Sequence, residues 1–409
     1  MNTRFNRNKL NIGTYILQPY ARSEKHIKDL RDCGIEFVID IDYDKDALDL
    51  FYKYGIGAFV RGVVPGWWGG DGSNAGTLKK RNPLDLYTKC SLRYEDHPAV
   101  WAISIGDEPS ALDFPCFGVV YDHVNKLFPT AFPYLNLYPN YASVCENTAD
   151  ETVNQLGTET YEQHIEEYCK YVPADYISYD HYVYAPMNLG KCLENFRIVA
   201  NAARNYGKRF MYVCQVNSQR PGEWMSVNNL RFQAFSAMSY GAEDITWACY
   251  TGGWWHNNVL DENGEKTEQY DKLKLVNSEI RNLADIYMQY RNTNAHLLGF
   301  TEEVSKDVNQ KVLESLNVGY FTELKAENNE PLIIGEMSSR YGKDEKALFI
   351  TASDDWKDKA SKTYNITFKS LKSITIFGKD GKVPFIYDKE TETYSVEITS
   401  SEALMIIAK

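Results

Sequence analysis

The chain has 409 residues, of which 44% are hydrophobic and 24% charged. That balance is ordinary for a soluble globular protein and excludes disorder, collagen and coiled coil as the main architecture. A net charge of −12, with no basic cluster longer than Lys79-Lys80-Arg81, disfavours nucleic-acid partners, and no apolar run reaches the ~18 residues of a membrane span.

Up to about residue 290, short apolar runs alternate with helical patterns. A strand over 11–17 precedes a helix over 24–33, closed by Gly34; glycine is favoured there because the residue after a helix often turns left-handed. A strand over 35–41, a helix over 46–54 and a strand over 56–64 follow. A long loop and a helix over 84–94 lead to a strand over 99–105. Helix 117–127 precedes strand 134–138, helix 161–171 precedes strand 175–182, and helix 192–206 precedes strand 209–216. Helix 230–240, strand 244–250 and a last helix over 268–290 complete eight βα units.

Strands separated by helices imply a parallel sheet, because parallel neighbours need long crossovers. Eight units over roughly 280 residues suit a (β/α)8 TIM barrel spanning 1–293. Neither Gly-x-Gly-x-x-Gly nor a P-loop pattern is present, so no nucleotide cofactor is implied. After residue 294 the pattern changes to short strands over 346–352, 363–368, 373–377, 393–398 and 403–407, with turns at 378–381 and 388–391. With no long helix between them, these predict a small antiparallel β-sandwich over 294–409.

In such a barrel the chemistry sits at the carboxyl ends of the strands. The strand ends here offer Gln18, Asp40 with Asp42, Arg61, Asp107 with Glu108, Asn136, Asp180 with His181 and Tyr182, Gln215, and Tyr250. Aromatic residues make up 14% of the chain, including 30 Tyr and 8 Trp. Most fill a core, but three rim loops place Trp beside Gly: Trp67-Trp68 after strand three, Trp224 after strand seven, Trp254-Trp255 after strand eight. Gly-rich loops stay near water, and indole faces stack on the apolar faces of sugar rings. The alternative is that these indoles anchor the loops to the barrel top.

The segment Trp101-Ala-Ile-Ser-Ile-Gly-Asp-Glu-Pro109 closes strand four. With the eight-unit pattern and the trailing strands, it resembles the clan of retaining (β/α)8 glycoside hydrolases of the cellulase and β-galactosidase type, whose fourth strand ends in Asn-Glu-Pro. Asp107, Glu108 and Pro109 stand at those positions. The resemblance implies a hydrolase with Glu108 as general acid/base; read as sequence alone, Asp-Glu-Pro also suits an acidic helix start. It further implies a nucleophilic Glu at the end of strand seven, where this chain has Gln215. The second carboxylate is then expected from Asp180 or Glu223, with Gln215 lining the site.

Arg61, Trp67, Trp68, Asp107, Asn136, His181, Tyr182, Gln215, Trp224, Trp254 and Trp255 are the expected substrate contacts. The expected substrate is a neutral, β-linked oligo- or polysaccharide. Two carboxyls ~5–5.5 Å apart would imply retention and ~6.5–9.5 Å inversion. A barrel that binds sugar without cleaving it is the main rival. An aldolase or isomerase would want a strand-end Lys or a metal cluster, and neither is seen.

No metal is expected. The acidic run 40–46 lacks the central Gly and closing Glu of a calcium loop, and 261–264 reads as a turn. Eight Cys occur with no Cys-x-x-Cys pair; buried free thiols are expected, although spacing fixes no pairing. The first ten residues are basic without an apolar stretch behind them, unlike a secretory leader. Export and a cytoplasmic location both stay open, as does oligomeric state.

Overall fold

A computed structural model describes residues 3–143, 155–185, 187–253 and 255–409. Eight parallel strands form a nearly closed barrel: β1 (Asn11–Tyr15), β2 (Phe37–Asp42), β3 (Gly57–Arg61), β4 (Val100–Asp107), β5 (Phe132–Asn136), β6 (Tyr176–Asp180), β7 (Arg209–Gln215) and β8 (Asp244–Ala248). Their hydrogen-bonded order is 5-4-3-2-1-8-7-6. The helices between them are α1 (Glu24–Asp32), α2 (Lys45–Tyr54), α3 (Leu78–Arg81), α4 (Leu84–Ser91), α5 (Phe114–Leu127), α6 (Tyr161–Tyr171), α7 (Leu189–Tyr206) and α8 (Val227–Ser239), and α9 (Glu268–Tyr287) follows β8. Local signals set their ends. The Asp44 side chain accepts the Ala47 N–H at the start of α2, and Gly55 ends it at φ +67°, a conformation open to glycine at little cost.

Much of the aromatic content fills the barrel. Phe5 packs against Phe37 and Phe59, each at 5.8 Å between ring centroids, and against Phe132 at 5.3 Å. Phe37 stacks on Phe59 at 4.7 Å. These rings leave no room for side chains at Gly13 and Gly57, where a Cβ would stand 2.3 Å from Phe37 and 2.0 Å from Trp101.

Among the described residues, β5 and β6 share only one backbone bridge, Leu137 to Tyr179. Pro133 has no N–H to give to a ladder there. The Tyr176 hydroxyl fills the gap, donating to the Pro133 carbonyl at 2.9 Å and accepting the Leu135 N–H at 2.8 Å. Higher on the seam, Tyr134 and Ser178 hydroxyls bond at 2.9 Å, and Ser178 donates to Asn136 at 3.0 Å.

Beyond the barrel come β9 (Tyr290–Leu298), α10 (Glu302–Val308), β10 (Val312–Leu313), β11 (Leu316–Val318), β12 (Phe321–Ala326), β13 (Leu332–Ser339), β14 (Lys346–Ala352), β15 (Thr363–Ser370), β16 (Ile374–Gly378), β17 (Gly381–Lys382), β18 (Ile386–Asp388), β19 (Thr393–Thr399) and β20 (Ala403–Ala408). They make a seven-stranded sheet, 10-9-13-14-20-16-17, and a five-stranded sheet, 11-12-15-19-18. Ile334, Leu348, Ile350 and Ile406 of the first share one buried core with Leu324, Ile366, Phe368 and Val396 of the second.

The expectation of antiparallel strands alone is corrected at one place. The Thr301 side chain accepts the Val304 N–H, with Glu302 and Glu303 in the first turn, and this capping starts α10, after which β10 pairs parallel with β9. The seven-stranded sheet docks on α8 and α9: the Ser239 hydroxyl of α8 bonds Thr351 at 2.9 Å, and Tyr287 of α9 meets Phe349 edge-on at 5.3 Å.

Candidate active site

The carboxyl ends of the strands surround a cavity of about 840 Å³. Of the residues expected from the sequence, Arg61, Trp67, Trp68, Asp107 and Glu108 line it, as do Asn136, Asp180, Tyr182 and Trp255. Strands β3, β4, β5 and β6 and the segments that follow β3, β4, β6 and β8 thus deliver them to one place.

Glu108 follows β4 directly, with backbone φ +46°. Non-glycine residues adopt this region at a cost of order 1–3 kcal/mol, and such strain concentrates at functional sites. Here the neighbours over-determine it. The Glu108 N–H donates to the Asn136 carbonyl at 2.9 Å. The loop after β3 lies against the same backbone: Asp107 N–H bonds the Trp67 carbonyl at 2.9 Å, and Gly69 N–H the Asp107 carbonyl at 3.0 Å. A Cβ on Gly69 would stand 1.6 Å from the Glu108 carbonyl oxygen, so only glycine fits. This contact seats the Trp loop over strand four, and the exposed Trp68 indole N–H donates to Glu108 Oε2 at 3.1 Å.

Three carboxyl groups meet here with little compensation. Burial, then the Asp180 charge, pushes Glu108 up to about 8, opposed by the Trp68 hydrogen bond. Burial, then Asp107, pushes Asp180 up to about 7. Asp107 is raised well above the usual carboxylate range by burial and then by Glu108. Asn136 Nδ2 donates to Asp180 Oδ1 at 2.8 Å across the β5–β6 seam. Asp40 also lines the cavity; its carboxylate and that of Asp42 are held by Arg61 at 2.7 and 2.9 Å. Like charges held close in a poorly solvated site cannot all ionise, so protons are retained near neutrality. The arrangement can therefore present a protonated carboxyl beside an ionised one, which is what acid–base catalysis needs.

The indoles differ in exposure. Trp67 is 8% exposed and its N–H has no partner among the described residues, whereas Trp68 is 63% exposed. Trp255 meets Tyr182 edge-on at 4.4 Å.

Four expected site residues, three contacts and the catalytic candidate Glu223, lie elsewhere, and each has a physical reason. Gln215 is buried with both ends of its amide taken: Oε1 accepts the Tyr184 N–H at 2.9 Å and Nε2 donates to the Asn217 carbonyl at 3.0 Å. It braces the turn after β6 and does not line the cavity. His181 follows Asp180 on the opposite face of the chain, as strand alternation requires. It is buried against Tyr141 at 5.0 Å, and burial pushes its pKa down to about 3, so the ring is neutral. Glu223 stands outside the cavity, its side chain 59% exposed and paired with Arg220 at 3.2 Å. Trp224 shares that loop and lies under Lys272 at 5.9 Å. Trp254 is outside the described residues.

Tyr15, Tyr134, Tyr141 and Gln219 line the cavity without having been expected there. Tyr134 precedes Asn136 by two residues on β5, so period-two alternation could have found it. Tyr141 and Gln219 are loop residues that carry no such signal. Among the described residues, no group of three or more His, Cys, Asp or Glu side chains could hold a metal ion. The seven described cysteines are free thiols, and Cys145 lies outside the described residues. No described helix is long and apolar enough to cross a membrane.

The sequence matches no protein-family model and no curated protein. In structure, the chain is similar to a catalytic mutant of a GH42 β-galactosidase from G. stearothermophilus, with 7% identity over 99% of each chain and a TM-score of 0.55. It is also similar to a glucosidase from Croceicoccus marinus, with 10% identity over 100% of this chain and 98% of that one and a TM-score of 0.45. For a β-galactosidase from the psychrophilic Marinomonas ef1 the identity is 12%, over 67% of this chain and 60% of that one, with a TM-score of 0.46. The chain therefore spans 60% of that enzyme's length. The first likeness extends over 99% of the chain and is one of fold: a barrel of parallel strands followed by antiparallel sheets.

Proposed function

We propose that this chain is a glycoside hydrolase acting on a neutral, β-linked oligo- or polysaccharide. Glu108 is the general acid and Asp180 the second carboxylate. The observation that carries this reading is the convergence of Asp107, Glu108 and Asp180 in one cavity walled by Trp67, Trp68 and Trp255. Glu108, held above Asp180 in pKa, protonates the leaving oxygen. Asp180, ionised first, acts on water or on the sugar from strand six. Asp107, buried beside them, holds its proton, so the Asp180 charge is what favours the protonated form of Glu108. Arg61 is engaged by Asp40 and Asp42, which leaves a negative cavity that repels uronate and sulfated sugars. The TIM-barrel unit carries the reaction, and the C-terminal β-sandwich braces it through α8.

Glu108→Gln keeps the shape and removes the proton, and should lower kcat on the true glycan by ~10²–10⁴. Parent-like turnover in that variant would refute the assignment. A second reading, sugar binding without cleavage, is favoured by the tethering of Gln215, which leaves strand seven without a carboxylate in the cavity. Turnover by the parent on a panel of β-linked glycans decides between the two.

A further inference from the structure

The opposite end of the barrel holds a second cavity, of about 260 Å³, between the amino-terminal ends of the strands and the first residues of β9. Its lining is cationic in a chain whose net charge is −12. Arg7, Arg204, Lys208, Arg209, Arg291 and Arg340 face it, against the carboxylates of Asp175 and Glu243 alone.

Those carboxylates are already committed. Asp175 pairs with Arg7 at 2.7 Å, and Glu243 with Arg209 at 2.8 Å and also with Arg340. Asp244, behind the wall, holds Arg209 as well. Six cations against three carboxylates leave three positive charges in excess. Among the described residues, Arg204, Lys208 and Arg291 form no ion pair. The Arg204 guanidinium donates to the Asn292 side-chain oxygen at 2.6 Å and to that of Asn201. Lys208 donates to the carbonyls of Ala174 and Val172. These neutral acceptors satisfy geometry without cancelling charge, and burial lowers the pKa of both cations. Attraction to the carboxyl end of α7 accounts for a cation in its last turn. It does not account for Arg204 reaching across to β9, or for Arg291 arriving from the other sheet.

We propose that this cavity binds a small oxyanion of the phosphate type, held by Arg204 and Arg291 with Lys208 and bridging the barrel to the C-terminal sheet. Guanidinium groups match tetrahedral oxyanions by paired N–H donation. A bound anion would supply the charge that Asn292 and Asn201 do not.

The test is thermal unfolding and calorimetric titration of the full chain with sodium phosphate, against sodium chloride at equal ionic strength. Glucose 6-phosphate serves as a second arm, separating a phosphate ester from the free ion. Phosphate should raise Tm in a saturable way that chloride does not, because a ligand bound only by the folded state stabilises it. Arg291 is exposed and unpaired, so Arg291→Gln should fold normally and weaken phosphate binding about tenfold, with Arg204→Gln weakening it at least as much. Binding of either phosphate compound with this loss in the variants supports the site and names the source. A Tm rise no larger than that in chloride, or equal binding by parent and Arg291→Gln, would overturn it.

Discussion

At the floor of the barrel, the Arg209 guanidinium is 5% exposed and saturated. It pairs with Asp244 and with Glu243 at 2.8 Å, and donates to the carbonyls of Arg7 and Lys9 at 2.6 Å each. At the mouth, Asp107, Glu108 and Asp180 are also withdrawn from water, but their partners are an amide, an indole and a distant phenol. Among the described residues that line the cavity, Arg61 is the one cation, and it is already engaged. Buried charge with opposite charge around it is architecture, since its desolvation is offset where it lies. Carboxyls buried beside one another raise each other's pKa and destabilise the fold, and such a cost persists where a reaction uses it.

This contrast can be broken at the floor with the largest effect. Arg209→Met leaves Asp244 buried without its counter-charge and should cost ~3–5 kcal/mol in stability, read as a lowered urea midpoint. At the mouth, removing charge should do the opposite. The Glu108 carboxyl holds its proton more tightly folded than unfolded. The stability this provides is full below pH ~4.5 and is lost as pH rises through about 8. Glu108→Gln abolishes that loss, so the variant should exceed the parent by ~2 kcal/mol at pH 8, after discounting for partial exposure, and show little difference at pH 4. Equal unfolding curves at pH 8 would remove the argument that the mouth carries an electrostatic cost.

Gln215 sharpens the comparison, because at the mouth it plays the part Arg209 plays at the floor. Restoring a carboxylate by Gln215→Glu would set it against the Asn217 carbonyl, where Nε2 now donates at 3.0 Å. The expected result is a stability loss of ~1–2 kcal/mol with no gain in hydrolysis, checked by denaturation and glycan assay. An increase in turnover would show that the side chain reaches the cavity after all. The smallest effect concerns pH. With Asp180 ionising near 7 and Glu108 near 8, kcat/KM should rise through the first value and fall through the second. The Trp68 N–H favours ionised Glu108, so Trp68→Phe should move the alkaline limb upward by less than about one pH unit. An unmoved limb would separate Trp68 from the acid.

Much of the fold was legible because it rests on periodicity and punctuation. Alternating strand and helix patterns with Gly34 and Gly55 as stops mark the βα units, and the strand-four end locates Glu108. The strands between 290 and 339 were not legible. They are partly polar, and several are held by partners far along the chain: β9 pairs with β13 and β12 with β15.

The sequence by itself determined that eight strands would bring polar ends to one mouth, because hydrophobic alternation and helix-length crossovers admit few other arrangements. It did not determine which of those side chains face the cavity. Ile16 and Glu108, just beyond the ends of β1 and β4, and Asp40, at the irregularity inside β2, take φ values of +63°, +46° and +61°. A residue turned into that region redirects the chain, so simple alternation no longer predicts direction. Whether Gln215 met a sugar or the Tyr184 N–H, and whether Glu223 met Glu108 or Arg220, depended on where separate loops came to rest. The Gln215 contact joins segments tens of residues apart, whereas Glu223 turns to Arg220 in its own loop; in both cases tertiary packing decides which groups meet, and no local pattern shows it.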